Sequence, residues 1–349
     1  MRALFERYPE LTETLPCLPL ANLPTPVNKL QSFSADIGGD IWLKHDECTG
    51  AIYGGNKVRK LEFLLADALE QNYTDVVTYG AAGSNHALAT AIYAHEHKLR
   101  CHVVLTPQPP SPKVAKTLLY HLNIDTQLLP VPDYPSAVTA AAQLRTETKA
   151  AGRTLYEIPF GGSSPVGTIG FVNAALELAE QIAAGLPEPE RIYLACGTSG
   201  SVSGLSLGLR LAGLSTQVIA TQVTPPVMSG PAAHERLFHE TNALLHALAP
   251  SIPVFVDPGH NVEHRSNQFG AGYAHATIAA EHAVERIKKT ERIELETTYT
   301  GKALASLIND LEAGRRGTVM FWNTYNAQPY QCADTARGAE LPELLQPYL

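Results

Sequence analysis

No stretch of this sequence approaches the roughly 20 apolar residues needed to cross a bilayer, and its first ten residues carry Arg2, Glu6, Arg7 and Glu10 where a secretory leader would be apolar. A cytoplasmic protein is expected. Basic charge is not in excess: 26 Lys and Arg stand against 34 Asp and Glu, a formal charge of −8, so no face is offered to phosphate backbones or anionic lipid. Neither nucleic acid nor membrane is an expected partner. The five cysteines (Cys17, Cys48, Cys101, Cys196, Cys332) are odd in number, scattered and without a C-x-x-C pair. They read as reduced thiols rather than as a disulfide framework or a zinc site. His260 and His264 stand at helical spacing but lack a third ligand, so no metal is expected. Repeats and low-complexity segments are absent too.

What is present is core-forming sequence: 45% apolar and 17% charged residues, far from the composition of disordered chains. Single cores stop growing at roughly 250 to 300 residues, so 349 residues favour two domains. Short β-branched runs alternate with Ala/Leu-rich stretches of helical length: 75–79 then 86–97, 101–105 then 112–121, 126–129 then 134–150, 154–158 then 166–184, 191–195 then 202–212, and 217–223. This alternation marks βαβ units and parallel sheet. Helical tracts at 231–248, 274–289 and 302–313 and a last strand at 318–322 follow. The expected class is α/β, two open twisted α/β domains with a ligand cleft at the carboxyl ends of their strands.

Five glycine-bearing or aromatic turns could line such a cleft. In Gly54-Gly55-Asn56-Lys57 a lysine lies in the first turn of a helix, where the field opposes its charge and lowers its pKa, as an amine nucleophile requires; a solvated lysine at a helix start is the plainer reading. In Gly83-Ser84-Asn85-His86, Ser84 or Asn85 is an N-cap, or the hydroxyl and the free amides bind a carboxylate. Cys196-Gly197-Thr198-Ser199-Gly200-Ser201 follows a strand and opens a helix; it lacks the P-loop lysine and the dinucleotide fingerprint, and a single phosphate suits it best. Tyr299-Thr300-Gly301-Lys302 offers a phenol as a general acid or as a core aromatic. Trp322-Asn323-Thr324-Tyr325-Asn326 follows the last strand.

Taken together and in this order, with Gly161-Gly162-Ser163 to Gly167 between the second and third, these motifs resemble the pyridoxal-phosphate enzymes of the aminocyclopropane-carboxylate deaminase and D-cysteine desulfhydrase family, over roughly 23–324. The resemblance implies fold type II, with a large domain of 1–62 plus 169–349, a small inserted domain of 63–168 and pyridoxal 5'-phosphate between them. It implies that Lys57 carries the cofactor, with Lys60 a structural neighbour, that Asn85 contacts the ring oxygen and that Gly197, Thr198, Ser199, Gly200 and Ser201 cradle the phosphate. Thr324 would lie near the pyridine nitrogen, and Ser84 and Tyr299 would act at the substrate. It further implies a homodimer and a lyase or deaminase giving a keto acid and ammonia from a small amino acid. Three positions depart from the family. Gly83 stands where a Gln is usual, which would remove donors and leave space; Tyr325-Asn326 replaces Gly-Gly, adding bulk and an amide; Thr300 replaces the deaminases' Glu, which favours the desulfhydrase branch. A cofactor-binding homologue without turnover, or an aminocyclopropane-carboxylate deaminase, is the alternative.

Overall fold

The computed structural model describes residues 2–330 and 334–349; Cys332 lies outside them, and the other four cysteines are free thiols. Ten strands form two sheets. The first has the order β1-β2-β10-β7-β8-β9, with β1 (Val27–Lys29), β2 (Asp40–Lys44), β7 (Arg191–Cys196), β8 (Gln217–Gln222), β9 (Val262–Arg265) and β10 (Thr318–Trp322). All of its pairs are parallel except β1 with β2. The second sheet is wholly parallel in the order β5-β4-β3-β6, from β3 (Asp75–Ala81), β4 (Arg100–Thr106), β5 (Gln127–Pro130) and β6 (Leu155–Ile158).

Each sheet is covered on both faces, as parallel sheets require. In the larger one Ile192 and Leu194 turn toward Phe171 and Leu205 of the Pro165–Ala183 and Gly200–Ala212 helices. Tyr193, between them, turns the other way, toward Leu304 and Leu307 of the Thr300–Glu312 helix. In the smaller one Val103 packs with Leu61, Leu64 and Leu88 of the Lys57–Glu70 and Asn85–Glu96 helices, and Val104 with Ala137, Ala141 and Leu144 of the Tyr134–Ala150 helix. Helix starts follow local chemistry: Ser111 before Pro112 and Ser164 before Pro165 each place a capping hydroxyl ahead of a proline in the first turn.

Three strands escape the sequence pattern. β1 has three residues, β2 was not separable from its surroundings, and β9 (Val-Glu-His-Arg) is half-buried with polar side chains. Because His264 lies on β9, it shares no helix face with His260, which corrects the helical spacing read from sequence. The tract expected from 274 begins at Ile278, where Thr277 caps it; Ala274 sits at φ 62° and Thr277 is extended, so the first residues of the expected tract are not helical. Among the described residues no helix is long and apolar enough to span a membrane.

The carboxyl ends of β3, β4, β5 and β6 face those of β7, β8 and β10 across one cleft. Glycine or small-residue turns follow β3, β6 and β7 and lead into the next helix, and residues of all three turns line the gap.

Candidate active site

A cavity of about 430 Å3 fills the cleft, and Lys57, Ser84, Asn85, Gly197, Thr198, Ser199, Gly200, Ser201, Tyr299 and Thr324 all line it. Residues separated by up to 267 positions are thus brought to one place.

Lys57 starts its helix from a tightly built loop. Gly55 has φ +90°, and a Cβ there would lie 2.9 Å from the Thr324 carbonyl, so only glycine serves. Asn56 donates from Nδ2 to Ser201 Oγ at 3.0 Å, tying this loop to the turn after β7. Burial lowers the Lys57 ammonium from its ordinary value to about 8. The direction is the one expected from the helix start; the dominant cause is desolvation.

Lys60, one turn on, is 1% exposed; its Nζ donates to the Gly161 carbonyl at 3.0 Å and Ser163 Oγ at 3.1 Å. Burial, then the nearby Lys57 charge, holds it well below the lysine range. Ser163 Oγ in turn lies 2.7 Å from Thr198 Oγ1. A Cβ on Gly200 would sit 2.6 Å from Lys60 Nζ and 2.5 Å from Ser163 Oγ. Gly200 is therefore required for this approach, and Lys60 belongs to the turn rather than only to the neighbourhood of Lys57.

The Gly200–Ala212 helix starts without a side-chain cap: Ser199 sits in the left-handed region at φ 61°, and its hydroxyl turns away to the Met228 carbonyl at 3.1 Å. Gly200 N donates to the Thr198 carbonyl at 2.8 Å, and Gly200, Ser201 and Val202 of that first turn line the cavity, a helix start suited to a phosphate. The Asn85–Glu96 helix differs. Ser84 Oγ accepts from Ala87 N at 3.2 Å, so Ser84 does cap the helix, yet it also lines the cavity and keeps its O–H to donate. Tyr53 donates to Asn85 Oδ1 at 3.1 Å and fixes that amide.

Tyr299 and Tyr273 place their hydroxyl oxygens 2.6 Å apart, both in the cavity wall. Burial pushes both phenols up, Tyr273 to about 12 and Tyr299 well above the ordinary range. Each stays protonated, so one of the two hydroxyl hydrogens bridges the pair and the other is free for a third acceptor. Glu296 reaches the same wall; its Oε1 accepts from Tyr299 N and Thr300 N at 2.9 and 2.8 Å, holding the turn that carries Tyr299. Tyr273, Glu296 and Lys60 are functional-site candidates that the sequence motifs did not single out. Tyr273 lies in irregular chain with no motif around it; Glu296, three residues before Tyr299, could have been found from its reach to a helix start.

Two expectations about the pocket change. The space expected beside Gly83 is filled: a Cβ there would lie 2.9 Å from Val114 Cγ2 and 3.1 Å from the Gln108 amide nitrogen, while Gly83 N donates to Gln108 Oε1 at 2.9 Å. Asn326 adds no amide to the cavity, since its Oδ1 accepts from Gly54 N at 2.6 Å and Gln328 N at 3.0 Å; only Tyr325 reaches the wall.

A family model described as pyridoxal-phosphate dependent enzyme matches residues 18–324. A protein named D-cysteine desulfhydrase from Yersinia pestis (strain Pestoides F) is 33% identical over 322 residues, covering 89% of this chain and 94% of that one. Nocardicin C-9' epimerase from Nocardia uniformis subsp. tsuyamanensis is 32% identical over 335 residues, covering 95% and 98%. Among solved structures, one titled as that of an ACC deaminase homologue superposes with a TM-score of 0.81 at 28% identity over the whole of both chains. With the family model matching residues 18–324 and these relatives covering most of its length, the chain belongs to the pyridoxal-phosphate dependent enzymes.

Proposed function

We propose that this enzyme eliminates the β-substituent of a small D-amino acid, as D-cysteine desulfhydrases do, with Lys57 as the residue that carries pyridoxal phosphate. The observation that carries the reading is the shared cavity of the Lys57 amine and the open Gly197–Ser201 turn. The residues suit the cofactor: Gly200 lets Lys60 Nζ and Ser163 Oγ approach the Gly197–Ser201 turn, which puts an amine donor and a hydroxyl beside it. When bound, pyridoxal phosphate supplies an electron sink that acidifies the substrate α-carbon.

The chain's own groups do the rest. Lys57, lowered by burial to about 8, is neutral in about one molecule in ten at pH 7, far more than an ordinary lysine, and can hold the α-proton at Nζ. The Ser84 hydroxyl and the amides opening the Asn85–Glu96 helix suit the substrate carboxylate. Tyr299, kept protonated and paired with Tyr273, can give its hydrogen to the departing group. Asn85 is assigned to the ring oxygen and Thr324 to the pyridine nitrogen. With D-cysteine the balance is one water consumed and hydrogen sulfide, pyruvate and ammonia formed. Thr300 in place of a carboxylate argues against efficient opening of aminocyclopropane carboxylate. A cytoplasmic homodimer, with residues 63–168 as a small domain set into the rest, completes the reading.

The test is borohydride reduction of the yellow protein followed by peptide mapping, with keto acid and ammonia assayed from D-cysteine, β-chloro-D-alanine and aminocyclopropane carboxylate. Label on the peptide holding Lys57 and product from the first two are expected. Label fixed to Lys60, or the cyclic substrate clearly the best, would refute it.

A further inference from the structure

The small-sheet side of the cavity is built from aromatic rings that the elimination itself does not use. Tyr79 lies near the end of β3, Phe160 follows β6, and Tyr134 opens the helix that follows β5; all three line the cavity. Their rings form a row. Tyr79 stacks on Phe160 with centroids 5.3 Å apart and planes 25° from parallel, and Phe160 meets Tyr134 at 5.6 Å and 35°. Pro107 and Pro132 extend the same apolar wall.

The row is held in place from outside the cavity. The Tyr79 hydroxyl donates to Glu157 Oε1 at 2.6 Å, and Glu157 Oε2 pairs with Arg145 at 2.5 Å, so the polar end of Tyr79 is already engaged and its ring offers the cavity carbon alone. Tyr134 is fixed at its backbone: Asp133 Oδ1 accepts from Ser136 N at 2.9 Å, and Pro135 follows in the first turn. Yet Tyr134 remains 59% exposed. A ring tilted against Phe160 on one side and open on the other, in the lining of the cavity, is a geometry in which an aromatic side chain can meet a flat partner. A thiol or chloride leaving group would not reach across to it or use it.

We propose that this row is a specificity surface for an aryl or benzyl group carried beyond the substrate's β-carbon, and that cysteine S-conjugates are the substrate class. The inference rests on the β-elimination reading above. In the step, the α-proton passes to the chain's base and the Cβ–S bond breaks with its electron pair on sulfur. The thiolate takes a proton, and the three-carbon remainder, with one water, gives pyruvate and ammonia. No oxidant or reductant is needed.

The test uses two readouts. In the holoenzyme, kcat/KM for S-benzyl-D-cysteine relative to β-chloro-D-alanine should fall in Tyr134→Ser and Phe160→Ala and be kept in Tyr134→Phe. In the full-length apoprotein, calorimetry compares two stable reduced conjugates, N-phosphopyridoxyl-S-benzyl-D-cysteine and N-phosphopyridoxyl-D-alanine. The benzyl conjugate should bind tighter by roughly the 10-fold to 200-fold that an apolar group contributes in a matched pocket, and Tyr134→Ser should remove most of that advantage. Tyr134 is too exposed for its replacement to be confused with misfolding. Equal affinities, or an advantage that survives both replacements, would overturn the aromatic surface while leaving the elimination reading intact. Failure of both conjugates to bind would overturn the two together.

Discussion

Arg59 and Lys60 are neighbours on one helix, both essentially without solvent contact, and their surroundings are opposites. Arg59 reaches Asp46 at 2.7 and 2.9 Å and Glu177 at 2.9 and 3.1 Å; Lys44 joins the same Glu177 at 2.5 Å. Although burial opposes its charge, those two carboxylates hold Arg59 firmly protonated. Lys60 meets a carbonyl and a hydroxyl but no carboxylate, and Lys57 beside it has none either. Burial is therefore offset only where enough anions meet the cation: two carboxylates suffice for Arg59, whereas Lys44, which shares Glu177 with it, is still lowered by burial. One face of the helix is an ionic joint between β2 and the Pro165–Ala183 helix, and the other is a reservoir of readily neutralised amines at the cavity.

That division can be broken or sharpened by experiment. Lys57→Ala should have the largest effect, lowering turnover by at least about 10,000-fold because one side chain both carries the cofactor and moves the proton, while calorimetric melting of the apoprotein stays near that of the wild type. Tyr299→Phe should cost about 100-fold to 10,000-fold in kcat with cofactor absorbance retained; full activity would make it a structural tyrosine. Arg59→Met should do the reverse of Lys57→Ala, destabilising the fold by about 3 to 5 kcal/mol by leaving buried Asp46 without its paired cation and Glu177 with Lys44 alone, measured by urea unfolding, with much smaller change in kcat per folded molecule. An active-site effect larger than the stability effect would dissolve the contrast.

Both faces should make stability rise with pH, in two separate windows. For Glu177 burial raises the carboxyl, but Arg59 and Lys44 outweigh it and bring it to about 2. Its contribution is complete above the unfolded value of about 4.3 and is lost as pH falls toward 2. Lys57 is deprotonated above about 8 in the fold and above about 10.4 when unfolded, so apoprotein stability should rise with pH across that window. Cofactor incorporation should quicken about tenfold per pH unit below 8 and level off above it, as read by absorbance after mixing. The smallest expected effect is on the small sheet: Gly83→Gln should destabilise by about 1 to 3 kcal/mol through overpacking against Val114 and Gln108, without restoring a donor to the cavity.

The fully buried strand β3 was legible from its β-branched Val76, Val77 and Thr78 followed by a glycine turn, and every residue of it is buried. β9 was not, since its four half-buried residues carry Glu, His and Arg. In the site, residues on glycine turns could be read because such turns follow strands and open helices, a local rule. Tyr273 meets Tyr299 across 26 positions from irregular chain, and Gln108 fills the place beside Gly83 across 25. No periodicity spans those gaps, so tertiary packing alone supplies the partner.

The contact of Tyr348 with Gln108 has a mechanical meaning. Its hydroxyl accepts from Gln108 N and donates to Gln108 O, both at 3.0 Å, while Leu341 and Leu345 are buried in the core of the smaller sheet. The chain thus leaves the larger sheet at Trp322 and ends bolted to the smaller one, a strut in addition to the Lys57–Glu70 and Pro165–Ala183 helices that run between the two. Burying those two leucines there gives the smaller sheet apolar cover from a segment that follows the last strand of the larger one, so substituting either leucine is expected to loosen the small-sheet core rather than the sheet that precedes it.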